Sequence, residues 1–590
     1  MTAAVQTVWA ELLIGSLADA GVTDVVVSPG SRSTPLTTAL AASTLRLHAI
    51  ADERCAGFFA LGLARATGMP VAAVCTSGTA PAHYLAAVIE ASMAGVPLVI
   101  VSADRPPELH GAGASQTIDQ QRLFGGFVRR FDDLGPPDGA TLALRALRRK
   151  VGQAVAAARG PSPGPVHLNV PLRKPLEPTV PVTAAERASA AELVRLRALP
   201  IAALVPTVRV PDPAIARLAA AIDAATSGVL LATAGPASRR DVRAAAFALA
   251  ARIGWPVLAE AGSQLRFAPR ADVIAIDRFA VAGAADLAPD LIVQLGGEPV
   301  AMGWAAIAAG ARRFVIAEAG WPDGDSSADA VLIGDVADTL ARITAALPPH
   351  DQLAPATRQR RAAYASAWRA ADRAAAIAID AAAAAVPGPL AAEHAAVRAA
   401  IAAVPDGGQL VLGNSLTIRV ADEIADGGRD LTVLTQRGAA GIDGLIAGAA
   451  GAASHGVPTV VVLGDVSFAH DVGALACTRG LPLAIVVIDN GGGRIFDRLP
   501  VAAAGLPAAA FERLWLTPPA LDPAAAARAF GLAAATVRSP DELGAAIARG
   551  LGGDGPIVIH VPVAPHSAAT VRSAALAALV SPAARHRSHS

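Results

Sequence analysis

The chain has 590 residues, enough for three or four domains that each bury a core, so a peptide or a single small module is excluded. Lys plus Arg and Asp plus Glu both number 49, and the formal net charge of +0 leaves no excess to draw the chain onto nucleic acid or an anionic membrane. The hydrophobic share is 53%, but aromatics are only 4%, and apolar runs such as Gly444 to Gly464 are broken by Gly, Ser, His and Pro, so no membrane span is expected.

From the start of the chain, Val8, Leu12, Leu13 and Leu17 lie at helical spacing, and no positively charged leader precedes them, so an amphipathic helix is expected rather than a secretion signal. Strands are expected at Asp24 to Ser28 and near Leu45 to Ala51, with a Pro-Gly turn and a helix from Ser33 between them. The alternation continues with a helix Glu53 to Ala66, a strand Val71 to Cys75, a helix Ala82 to Ala94 and a strand Pro97 to Ser102, the pattern of a parallel, doubly wound sheet. A first domain is placed at 1–185, and the Pro-rich stretch from Pro161 through Pro213 reads as a surface linker. A second α/β domain over 205–350 carries GVLLATAG, PVLAEAG, LIVQLGG and FVIAEAG as strands. An Ala-rich helix then leads to a third domain over 385–575, with strands QLVLGNS, LTVLTQRG, TVVVLGD, LAIVVIDNGGG and PIVIHVPV; a disordered tail is expected over 576–590. Cys55, Cys75 and Cys477 are too few and too scattered for a disulfide framework or a zinc cluster, and point to a reducing cytoplasm.

Chemistry concentrates at the strand ends of the third region. Gly464-Asp465-Val466-Ser467 closes one apolar strand and Asp489-Asn490-Gly491-Gly492-Gly493 closes the next, with a helix-length segment between, so the two loops are expected side by side. They offer a carboxylate, an amide oxygen and glycine carbonyls, hard oxygen donors suited to Mg²⁺, together with backbone N–H groups for a diphosphate. Either loop alone is an ordinary strand-to-helix turn; the pair at this spacing is more specific.

The pair resembles the motif of thiamine diphosphate-dependent enzymes, which opens with Gly-Asp and closes with two Asn. The resemblance implies Asp465, Asn490 and the Gly492 carbonyl as ligands of Mg²⁺ or Mn²⁺, with Asp489 standing where the non-ligand Asn is usual. It also implies a glutamate on the pyrimidine-binding domain, matched by Glu53, which follows LRLHAIAD and opens ERCAGFFALGLARATG; alone it would be an acid favoured by the helix dipole. The segments SPGSRSTPL, DERCAGFFALGLARATGMPVAAVCTSGTA, SADRPPELHGAGASQTIDQ, GNSLTIR, QRGAAGIDG and GDVSFAHD with DNGGGRIFDRLP are similar to the MenD family of synthases. That likeness implies three α/β domains (pyrimidine-binding, central and diphosphate-binding) and a reaction joining 2-oxoglutarate to isochorismate with loss of CO₂ in menaquinone biosynthesis. It implies a substrate pocket of Ser31, Arg32, Arg105, Gln116, Asn414, Arg419 and Arg437, with Ile495, Phe496 and Leu499 as an apolar wall. Arginine suits two dicarboxylate substrates because its planar fork binds carboxylates bidentately and stays charged. Cofactor contacts fall on Glu53, Ser415, Ile442, Gly464, Asp465, Val466, Ser467, Asn490 and Gly492. A homodimer with shared active sites is implied as the minimum active unit, and a homotetramer as the assembly.

The central domain departs from the family pattern: Gln294, Glu298, Met302 and Gly303 occupy a stretch where a basic residue is common, so either another arginine, Arg278 or Arg266, substitutes or the pocket uses one fewer positive group. The alternative is another thiamine diphosphate-dependent decarboxylase or carboligase, which would share Glu53, Asp465 and Asn490 but has no use for four converging arginines.

Overall fold

The structure is a computed structural model and describes residues 2–199, 205–235, 240–270, 272–278, 287–301, 304–424, 426–553 and 555–579. Its strands, in chain order, are β1 (Asp24–Val27), β2 (Arg46–Ala49), β3 (Val71–Cys75), β4 (Leu98–Asp104), β5 (Arg130–Asp133) and β6 (Val166–Pro171); β7 (Gly228–Ala232), β8 (Val257–Ala259), β9 (Ile274–Ala275), β10 (Leu291–Leu295), β11 (Arg312–Ala317) and β12 (Ala330–Ile333); then β13 (Gln409–Leu412), β14 (Thr432–Thr435), β15 (Thr459–Gly464), β16 (Leu483–Asp489), β17 (Ala533–Thr536) and β18 (Ile557–Pro562). They form three six-stranded sheets of orders β2-β1-β3-β4-β6-β5, β12-β11-β10-β7-β8-β9 and β14-β13-β15-β16-β18-β17. Every adjacent pair runs parallel.

The first and third sheets share one order, position for position. In each, the winding reverses between the first strand and the third, β1 with β3 and β13 with β15. The crevice at the carboxyl ends of such a strand pair is where open α/β sheets hold ligands. The segments at the carboxyl ends of these strands are 28–33, 76–80, 413–415 and 464–467, so topology alone places SPGSRS, TSGTA, GNS and GDVS at the two switch points.

The residues group into two compact units, Met1–Thr207 with Gln436–Ala452, and Val208–Thr435 with Ala453–Ser590. In the first, the helix Ala3–Asp19 buries Val8, Leu12, Leu13 and Leu17 against β1, β3 and β4 and the helix Thr141–Arg159. Helix Glu53–Thr67 is capped at its start by the Asp52 carboxylate, which accepts from Cys55 N at 3.1 Å, and stops at Gly68 in the left-handed conformation. It meets the helix Leu445–Ala453 through glycines. A Cβ on Gly62 would lie 1.9 Å from the Gly448 carbonyl oxygen, and one on Gly451 2.0 Å from the Phe59 carbonyl oxygen, so the backbones are in direct contact.

In the second unit, the 30-residue helix Pro355–Ala384 sends Arg361 onto the ends of two other helices, where Nη1 donates to Ile253 O and Nη2 to Ile222 O, both at 3.0 Å. The guanidinium thereby satisfies carbonyls that a helix end leaves without intrahelical partners.

Two sequence expectations are corrected. The stretch 161–213 is no simple linker: it contains β6, a fully buried strand, and the helix Ala184–Arg197, whose Thr183 and Glu186 form a capping box. The expected tail from 576 is helical to its fourth residue, because the last helix spans Ser567–Leu579; residues 580–590 lie outside the described ones.

Replacing Gly62 by Ala should destabilise the chain by about 3 kcal/mol, the upper end of overpacking costs, since backbone faces the new methyl group. Denaturant unfolding against the parent chain measures it, and a cost within experimental error would contradict the glycine contact.

Candidate active site

In the first unit, Glu53 is half-buried at the first turn of its helix. Its charge is felt at the end of β3, where burial first, and the Glu53 carboxylate second, push the Cys75 thiol up. Arg32 is buried in the turn after β1, with Nη1 donating to Leu172 O at 2.8 Å and Nε left without a partner. Burial, and then the like charge of Arg105, lower its pKa, while Asp104 opposes them. The two guanidiniums therefore stand near enough for each to feel the other's charge, with Asp104 as the neighbouring carboxylate.

Ser77, just beyond β3, joins the next two residues. Its hydroxyl accepts from Arg105 Nη1 at 3.0 Å and donates to Gln116 O at 3.1 Å, and its carbonyl accepts from Gln116 Nε2 at 2.9 Å. Gln116 has φ +54°, a left-handed conformation uncommon outside glycine. Ser31 is exposed at the mouth of the β1 turn. Arg437 and Ile442 are half-buried in a loop whose Gly438 and Ala439 N–H groups donate to the buried Glu90 carboxylate at 2.9 and 2.6 Å, with Arg65 Nη2 on the same group at 3.0 Å.

Sequence reading missed the polar network beneath these residues. Asp104 accepts from Arg105 N at 2.7 Å and Asn169 Nδ2 at 2.9 Å, while Gln120 donates to Asn169 Oδ1 at 3.1 Å and accepts from Gly78 N at 3.0 Å. Ser102 Oγ lies 2.7 Å from His167 Nε2, and burial drops the imidazole to about 3, so it is neutral. The available signal was a pair of polar side chains, His167 and Asn169, inside an apolar strand.

In the second unit, Asp465 and Asn490 are brought together as expected. Gly464 pairs with Ile488 across β15 and β16, so both loops leave the sheet at one level. Gly492 N donates to Asp465 Oδ2 at 2.7 Å and Val466 N to Oδ1 at 2.9 Å; burial nevertheless pushes the Asp465 carboxyl up to about 6. Asn490 Nδ2 donates to Glu393 Oε2 at 3.0 Å, and Asn490 Oδ1 is buried with no hydrogen-bond partner. The Gly492 carbonyl accepts from Arg494 N at 2.8 Å and keeps a second lone pair. Gly491 and Gly492 have φ +76° and +116°, and a Cβ on Gly492 would meet Leu516 O at 2.4 Å, so the loop requires glycine there. A buried carboxylate, an orphaned amide oxygen and a carbonyl form an all-oxygen donor set, which fits Mg²⁺ or Mn²⁺. Among the described residues no cluster of three His, Cys, Asp or Glu side chains competes for such an ion.

Around this set, Ser467 is buried in the short helix Asp465–His470, and nothing lies within 4 Å of where a Gly464 Cβ would stand, leaving room for a ligand. Asn414 is buried beyond β13; Ser415 has φ +70°, and its carbonyl accepts from Arg419 Nη1 at 2.5 Å. Ile495 and Phe496 are half-buried on the turn Arg494–Arg498, and Leu499 follows, more exposed.

Asp489, the departure from the usual Asn, is in use. Its Oδ1 accepts from Gly491 N at 3.2 Å and its Oδ2 lies 2.9 Å from His560 Nε2 of β18, the bond that chiefly holds its carboxyl below the ordinary range. In the central sheet, Gln294 Oε1 accepts from buried Arg313 at 2.9 Å, and Glu298 accepts from Gly324 N at 3.1 Å; Met302 and Gly303 lie outside the described residues. Arg278 is committed to Glu423 O and to Asp426 at 2.7 Å, and Arg266 is 1% exposed beside it, so both are absorbed into the interior.

Two regions match models of known domains: the thiamine pyrophosphate enzyme N-terminal TPP binding domain over residues 8–123 and its C-terminal counterpart over 425–561. The fold is shared with a benzoylformate decarboxylase from Polynucleobacter necessarius at a TM-score of 0.69, with 20% identity, covering 94% of this chain and 98% of that one. Fold and domain matches thus define a thiamine diphosphate-dependent enzyme. The chain is 42% identical over 583 residues to the 2-succinyl-5-enolpyruvyl-6-hydroxy-3-cyclohexene-1-carboxylate synthase of Sorangium cellulosum, covering 95% of this chain and 93% of the relative. It is 39% identical over 575 residues to that of Halobacterium salinarum, covering 94% and 95%. It belongs to this synthase family.

Asp489→Asn restores the usual pair and keeps an oxygen for Gly491 N, so Mn²⁺ affinity in the presence of thiamine diphosphate should stay within about threefold of the parent. The lost His560 contact should cost about 1 kcal/mol in urea unfolding. A tenfold loss of Mn²⁺ affinity would make Asp489 a ligand rather than a brace.

Proposed function

We propose that the chain catalyses the thiamine diphosphate-dependent decarboxylation of 2-oxoglutarate and the addition of the remaining four-carbon unit to isochorismate, a step of menaquinone biosynthesis. The observation that carries this reading is the buried oxygen set of Asp465, Asn490 and Gly492 on neighbouring loops, in a chain of this family.

Asp465, Asn490 and the Gly492 carbonyl would hold Mg²⁺ or Mn²⁺, and the backbone of 464–467, with Ser415, would receive the diphosphate. When bound, thiamine diphosphate supplies the electron sink that decarboxylation requires. Glu53 holds and returns a proton at N1′ of the aminopyrimidine, a task suited to a half-buried carboxyl. Ile442 supports the cofactor by its bulk. Arg32 and Arg105 bind substrate carboxylate, which relieves the mutual repulsion of the two guanidiniums. Gln116 and Ser31 would contact the same carboxylate, and, as the resemblance implies, Asn414, Arg419 and Arg437 would add polar contacts to substrate. Ile495, Phe496 and Leu499 exclude water from the reacting carbon.

The resemblance further supports a homodimer in which Glu53 and the cation loops of one active site come from different subunits, assembled as a homotetramer. The scarcity of cysteine, three in 590 residues, accords with a cytoplasmic enzyme; no described helix is long and apolar enough to cross a membrane.

Purified protein incubated with 2-oxoglutarate, isochorismate, Mg²⁺ and thiamine diphosphate should yield the coupled product by mass spectrometry. Glu53→Gln should lower 2-oxoglutarate decarboxylation about 10²- to 10⁴-fold. Undiminished turnover would reject the role of Glu53, and decarboxylation without coupling would favour a different carboligase.

A further inference from the structure

Asn490 differs from the other expected cation ligands in that its donor atom depends on which way a side-chain amide is turned. Asn490 is 5% exposed and Glu393, which faces it, 2%. Nδ2 donates to Glu393 Oε2 at 3.0 Å, and Oδ1 has no hydrogen-bond partner on the other side. Glu393 presents an accepting oxygen, Oε2, to Asn490, so it selects the N–H edge of the amide and turns the oxygen away from itself. The reversed amide would set two acceptors against each other out of reach of water.

Glu393 is itself fixed. It is the first residue of the helix Glu393–Ala402, where an acidic side chain is favoured, and its backbone N–H donates to Ser567 Oγ at 3.1 Å. Arg498, with its side chain 4% exposed, adds positive charge on this side; its Nη2 donates to Glu423 Oε1 at 2.5 Å. Glu423 is held in turn by His394 Nε2 at 2.7 Å and by Arg572. A buried chain of alternating charge therefore backs the carboxylate that faces Asn490.

We propose that Glu393 is a positioning residue which, by accepting from Asn490 Nδ2, presents Asn490 Oδ1 to the divalent cation. The proposal rests on the functional reading above. It distinguishes Glu393 from a merely structural acid because what it requires is a hydrogen-bond acceptor at this point.

The test is Mn²⁺ binding to the whole chain in the presence of thiamine diphosphate, followed by electron paramagnetic resonance, with thermal unfolding of each metal-free variant as the folding control. Glu393→Ala should bind Mn²⁺ at least about tenfold more weakly than the parent, the usual scale for losing a group that orients a ligand. Glu393→Gln, whose Oε1 still accepts, should stay within about threefold. Parent-like affinity in Glu393→Ala would overturn the proposal, as would a Glu393→Gln variant as weak as Glu393→Ala. If Glu393→Ala does not fold, Glu393→Asp decides: its carboxylate is drawn back by one methylene, so several-fold weaker binding supports the assignment and unchanged binding overturns it. A parent chain that binds no Mn²⁺ beside thiamine diphosphate would remove the functional reading and this proposal with it.

Discussion

A hydrogen bond from Gly492 N to the Asp465 carboxylate, at 2.7 Å, ties together the two segments on which the candidate cation site depends. It can form because β15 and β16 are parallel neighbours with Gly464 opposite Ile488, so their carboxyl ends reach one edge at one height. That register comes from strands whose side chains are buried on both faces of the sheet, the environment that selects Val, Ile and Leu without alternation. The bond fixes one Asp465 oxygen against the backbone, and β18 braces the neighbouring residue through His560 and Asp489. The loops are thus held by main-chain geometry before any ligand arrives, which is what preorganisation requires of a cofactor site.

A different constraint holds the Glu53 helix. Gly62 and Gly451 stand where any side chain would strike a carbonyl oxygen, so the helices Glu53–Thr67 and Leu445–Ala453 meet backbone to backbone. Close packing of this kind leaves little freedom for sliding or rotation. It acts on the same helix whose first residue is the candidate catalytic acid. Nearby, Glu90 collects two backbone N–H groups and Arg65, fixing the loop between Arg437 and Ile442. A buried carboxylate is tolerable here because both of its oxygens accept hydrogen bonds, one of them from a guanidinium.

The central strands of the first and third sheets were legible because burial on both faces writes a continuous apolar run. What escaped were mainly edge strands and one inner strand. β5 reads RFDD and is half-buried, β9 has two residues, and β17 reads AAAT, so none carries a hydrophobic signature of its own. β6 was hidden for another reason: prolines surround it, and His167 and Asn169 interrupt its apolar run, although both are fully buried. Their polarity is answered by Ser102, Asp104 and Gln120, partners separated in sequence by 49 to 67 residues, which no local pattern reveals. At the candidate site, Asp465 and Asn490 were legible from spacing. Glu393 was not, because an acid opening a helix is ordinary and its partner lies 97 residues away.

The arginines show why composition could not assign roles. With Lys150 and Lys174 as the only lysines, nearly every cation in the chain is an arginine, and arginine can be buried with its charge intact when its fork finds acceptors. Arg361 spends that capacity on helix carbonyls, and Arg313 on Asp323, Asp325 and the Gln294 amide oxygen. Arg278 uses it on Asp426 and a carbonyl. These three are braces of the central sheet and its neighbours. Arg32 is equally buried, but it feels the like charge of Arg105 as well as the carboxylate of Asp104, and its Nε has no hydrogen-bond partner. An arginine whose charge is fully answered is thus told from one whose charge is not by what faces it across the fold, not by its residue type.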